Sequence, residues 1–108
     1  MNDATGSTPM HPDQHVPPTA PAAELAATAA AILAAWQAEG LPAAERRPLH
    51  AVRVRVVSAT VLEASGTDDF WPRELLLTAA EQHDLPGLPW RVADAPNVYR
   101  FDAWPVAL

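Results

Sequence analysis

The chain has 108 residues with 7 arginines, no lysine and 13 carboxylates, so its formal charge is −6 and its length suits one domain. Cysteine is absent, which excludes a disulfide framework, a thiolate zinc site, an iron–sulfur cluster and a cysteine nucleophile. The bias to alanine (23 residues), proline (12) and arginine over lysine matches a GC-rich coding sequence, so alanine content by itself says little about function.

Residues 1–20 carry Pro9, Pro12, Pro17 and Pro18, with only Met10 and Val16 as sizeable apolar side chains. Ordering a residue costs about 1–2 kcal/mol, which so little apolar surface does not offset, so this segment reads as a disordered tail. His11, Asp13 and His15 within it are metal-ligating types, but a tail supplies no fixed geometry or outer shell, so no metal site and no cofactor are expected.

A single domain is expected over residues 21–108. It opens with a helix over 21–39: Pro21 fits a first turn, and Leu25, Ala29, Ile32, Leu33 and Trp36 form one stripe of a 3.6-residue period. Gly40 is expected to end it in a left-handed cap, with Pro42 blocking continuation. The apolar run Leu25 to Trp36 lies between Glu24 and Glu39 and is shorter than the about 20 residues of a bilayer span. The first arginine, Arg46, follows that run instead of preceding it, unlike a secretory signal, so a cytoplasmic protein with no membrane contact is expected.

Residues 50–64 alternate as a strand, with Val52, Val54 and Val56 on one face and Arg53 and Arg55 on the other. The phase then switches to Val57, Ala59 and Val61, which implies a bulge or a strand covered on different faces along its length. At about 3.3 Å per residue such a strand overhangs a small domain and asks either for a bulge that bends it back or for a second subunit.

A turn at Gly66 to Asp69 leads into a helix over 69–84, capped by Asp69, with Leu75, Leu76, Ala79, Ala80 and His83 facing inward. A hairpin over 90–104 follows. With its turn at Pro96–Asn97, residues whose numbers sum to 193 would pair, placing Trp90, Tyr99 and Phe101 inward with Trp36, and Arg91, Arg100 and Asp102 outward. Because that turn is not of the primed type, a three- to five-residue loop that shifts the register is the alternative. Pro105 marks a sheet edge.

The expected fold is α+β, in the order helix, long strand, helix, hairpin, with two helices on one face of a three-stranded sheet. The other face would gather Arg53, Arg55, Arg91 and Arg100 with Asp102, while the acid clusters around the second helix through Asp68, Asp69, Glu74, Glu81 and Asp84, offset only by Arg73.

Three functional readings follow. The first is a non-catalytic, self-associating protein-interaction module, a homodimer or a binder of a protein partner, using the arginine face and the candidate aromatic anchors Phe70, Trp71 and Trp104. The second is nucleic-acid or polyanion binding by the same face, with Tyr99 or Trp104 turned out to stack; the acidic balance opposes it. The third is a small enzyme. No glycine-rich phosphate loop, helical histidine pair or nucleophile elbow is present, Asp68 and Asp69 are explained by capping, and Ser58 and Thr60 have no assigned base.

Overall fold

The computed structural model describes residues 17, 19–40 and 42–103; the pattern His11, Asp13, His15, and Trp104 and Pro105, lie outside these residues. Helix α1 runs Pro21–Ala38, as its apolar stripe requires, with Leu25, Ala29 and Ile32 buried. It starts at Pro21 as expected, but Ala20, within the segment read as tail, is buried, and its carbonyl accepts the Glu24 N–H at 3.0 Å. Its end differs. The chain leaves the helix in an extended conformation at Glu39, whose N–H reaches the Trp36 carbonyl at 3.1 Å, and Gly40 takes no left-handed cap.

A short helix that the pattern did not announce follows, α2, Ala43–His50. Pro48 inside it removes one backbone donor and lowers the local helix propensity, which hid it. Leu49 is completely buried and its carbonyl accepts a bond from Gln37 Nε2 at 3.4 Å.

The expected long strand is two strands, β1 (Arg53–Val56) and β2 (Val61–Ser65), paired antiparallel with Arg55 opposite Glu63. The phase switch is the signature of a hairpin turn, not of a bulge in an overhanging strand. The turn lacks glycine, proline and asparagine; instead the Ser58 hydroxyl accepts the Thr60 and Val61 N–H groups at 3.3 and 3.1 Å. The overhang that asked for a second subunit is therefore absent.

Helix α3, Phe70–Gln82, begins near its expected start, but Asp68 and not Asp69 satisfies the first turn: Asp68 Oδ1 accepts the Trp71 N–H at 3.2 Å. It stops through Asp84, which adopts φ 55°, so that the Leu85 N–H bonds the Ala80 carbonyl at 3.0 Å and the Asp84 N–H that of Glu81 at 3.1 Å. This double bond pattern is the helix stop usually built on glycine. His83, expected inward, is exposed on this last turn.

Strands β3 (Trp90–Arg91) and β4 (Val98–Asp102) pair with residue sums of 190, Trp90 opposite Arg100 and Arg91 opposite Tyr99, in place of the 193 expected. Asp94 and Asn97, at φ 63° and 64°, shape a connection longer than a two-residue turn. Among the described residues the resulting sheet has four strands, all antiparallel, in the order β1-β2-β4-β3. Two helices, α1 and α3, meet over one face, where Leu25, Ile32, Leu62, Leu75, Leu76, Ala79 and Phe101 form the core. The α+β class is thus as the pattern indicates, with four strands where three were counted.

Candidate functional site: the sheet face opposite the helices

Cross-strand partners in an antiparallel ladder share a face. Since Leu62, Ala64 and Phe101 are buried under the helices, Arg53, Arg55, Glu63, Arg100 and Asp102 fall on the opposite side. Trp90 joins them, because it pairs with Arg100. One row therefore crosses all four strands: Arg55, Glu63, Arg100, Trp90.

Glu63 organises that row. Its side chain is only 12% exposed, Arg55 donates Nε–H to Oε1 at 3.1 Å and Nη2–H to Oε2 at 3.2 Å, and Arg100 donates Nε–H to Oε2 at 3.0 Å. Burial is the largest single influence on the Glu63 carboxyl and acts upward, but the hydrogen bonds and charges of Arg55 and Arg100 together outweigh it and hold the group below the usual carboxylate range. The Arg55 guanidinium is raised in turn, chiefly by its hydrogen bond to Glu63. Arg53 stands apart on the same strand, its Nη1 donating to the carbonyls of His50 and Val52 at 3.0 and 3.1 Å.

The structure separates some of the residues that the sequence grouped. Arg91 pairs with Tyr99 and so leaves the arginine face; Trp90, expected in the core, takes the vacated side and is 45% exposed. The cause is the three-residue change of pairing sum, which is odd and therefore flips every β3 side chain relative to β4. Three arginines thus share the face with two carboxylates, Glu63 and Asp102. Tyr99 packs against the core and presents no stacking ring on that side.

Of the aromatic candidates, Phe70 is 58% exposed at the start of α3, in the helix layer, while Trp71 packs against the core, edge-on to Phe70 at 4.9 Å and tilted against Trp36 at 5.4 Å. Leu88, 69% exposed just before β3, and Trp90 are the apolar surface residues that the pattern missed. Ser58 is engaged in its turn and Asp68 at its helix start. A cleft of about 220 Å³ lies between Pro21, Glu24, His83, Leu85 and Ala103, and His83 Nε2 and Thr28 Oγ1 are 2.6 Å apart beside it.

Among the described residues, no group of three or more histidine, aspartate or glutamate side chains is arranged to hold a metal ion, and no helix is long and apolar enough to cross a membrane. No family model, curated protein or solved structure matches the chain.

Proposed function

We propose that the protein is a non-catalytic interaction module whose sheet face opposite the helices docks an acidic segment of another protein. The row Arg55, Glu63, Arg100, Trp90 is the observation that carries this reading. Tryptophan and arginine dominate the energetics of protein interfaces because they combine large area with directional donors. Here Trp90 is half exposed beside an arginine whose orientation is fixed by the partly buried carboxylate of Glu63. The rest of the chain is acidic, so an acidic partner is repelled elsewhere and steered toward this face.

Self-association, the form expected from the sequence, loses its overhanging strand. Its charge argument, arginines of one copy on carboxylates of another, would join the sheet face to the α3 side, and those lie on opposite sides of the two-layer fold. Such a contact is head-to-tail and does not close into a dimer. Phosphate binding is weakened by Glu63 and Asp102 on the same face.

Amide-resolved NMR of the full-length chain, titrated with a peptide of mixed aspartate, glutamate and aromatic residues, tests the proposal. Saturable shifts at the Trp90 indole and the Arg100 amide, weakened by Arg100→Ala, support it. Shifts confined to α3, concentration-dependent shifts without peptide, or tighter binding of polyuridine overturn it.

A further inference from the structure

The register settles which backbone groups lie at the open side of β1. The Val57 N–H bonds the carbonyl of Val61, the residue directly facing it, at 2.9 Å, so by alternation Arg55 with Glu63 and Arg53 with Ser65 occupy the bonded positions of the ladder. The β2–β4 bonds give the same answer from the other side: Gly66 N–H to the Asn97 carbonyl at 3.1 Å and Ala103 N–H to the Thr60 carbonyl at 2.6 Å assign the even-numbered positions of β2 to β4. The N–H and C=O of Val54 and Val56 therefore point away from the sheet, and β1 ends the strand order with no further strand beside it among the described residues.

We infer that β1 is an augmentation edge, which takes an extended acidic segment of a partner protein as a fifth strand, its backbone bonded to Val54 and Val56 and its carboxylates set against Arg53 and Arg55. This rests on the proposed function and adds a second contact for the same acidic partner, at the edge of the sheet opposite Trp90. The new strand would pair with Val54 and Val56 in bonded positions, which puts Arg55 in a non-bonded position, where facing side chains are closest, with Cα atoms about 4.5 Å apart. A glutamate or aspartate there meets a guanidinium whose existing carboxylate, Glu63, is shared with Arg100. Alternate residues of the same strand would extend the half-buried side of Val54 and Val56.

The same geometry rejects a second copy. Antiparallel self-pairing centred on Arg55 or on Val54 sets Arg55 against Arg55, or Arg53 against Arg55, at the closest spacing, while the register centred on Val56 would need Ser58, which its own turn holds on Val61. Like charges directly opposite are destabilising, and charged residues on edge strands commonly prevent such pairing. The arginines thus admit an acidic strand and exclude their own.

The test is amide hydrogen exchange by NMR on the full-length protein with an acetylated, amidated peptide alternating valine and glutamate. Saturating peptide is expected to slow exchange of the Val54 and Val56 amides about tenfold or more. Arg53→Ala is expected to weaken binding by up to about fivefold. A peptide with lysine for glutamate should not bind. N-methylation of the peptide on the edge facing β1 should abolish binding, whereas methylation on its outer edge should not. Unchanged exchange at Val54 and Val56 overturns the inference. In that event, peptide-induced shifts at the Trp90 indole and Arg100 amide in the same samples leave the face reading standing, and their absence removes it as well.

Discussion

Trp90 stands directly across from Arg100 in the β3–β4 ladder, on the face where Arg100 donates its Nε–H to Glu63 at 3.0 Å. The arginine is held by the carboxylate on one side and flanked by an exposed indole on the other. This arrangement separates what a residue contributes to folding from what it contributes to docking.

Trp90→Ala is expected to leave stability within about 0.5 kcal/mol of the parent, because the side chain lies outside the core, yet to abolish peptide-induced shifts at Arg100. Urea denaturation and the NMR titration measure the two effects. A large loss of stability would make Trp90 a structural residue.

Glu63 should make the fold acid-sensitive. Its carboxyl is held below the ordinary 4.5, so its ionised form is favoured by folding; that contribution is complete above the unfolded value and is lost as pH falls through the folded one. Glu63→Gln is therefore expected to cost about 1 kcal/mol at neutral pH, with the gap to the parent closing as pH falls below 4.5. Urea midpoints of both proteins across that range check it, and a gap independent of pH would contradict it.

The start of α1 gives a boundary to test. Deleting residues 1–16 should leave the melting temperature unchanged, since their composition supplies little apolar surface. Deleting residues 1–20 removes buried Ala20 and the carbonyl that accepts the Glu24 N–H, and should cost about 1 kcal/mol, or about 4–8 °C. Calorimetry of the two truncations distinguishes them.

The core should respond in the ordinary way. Leu75→Ala, at a completely buried position between α3 and the sheet, is expected to cost about 2–5 kcal/mol. Chemical denaturation measures it, and a loss below about 1 kcal/mol would place Leu75 outside the packed centre.

What could be read from sequence depended on how locally each feature is encoded. The stripe Leu25, Ala29, Ile32 and the cluster Leu75, Leu76, Ala79 repeat within a few residues, so both long helices emerged close to their bounds. The β1–β2 turn did not, because Ser58 closes it with a side-chain hydroxyl where glycine or asparagine would have announced it. The β3–β4 register depends on Asp94 and Asn97 in left-handed conformations, which no alternation pattern reveals. That error carried into the site: it exchanged Arg91 for Trp90 on the sheet face, while Arg53, Arg55 and Arg100 kept the side that their strands assigned. Glu63 as the hub required knowing that β2 lies between β1 and β4.

The most direct test of the sheet face as a docking surface is photo-crosslinking in the cells that produce the protein, with benzoylphenylalanine at position 90 and, for comparison, at position 78 on α3. The adduct at position 90 is expected on a different protein, at a segment rich in aspartate and glutamate, and lost with Arg100→Ala. An adduct at position 90 to a second copy of the chain or to nucleic acid, or adducts at position 78 alone, would contradict the account.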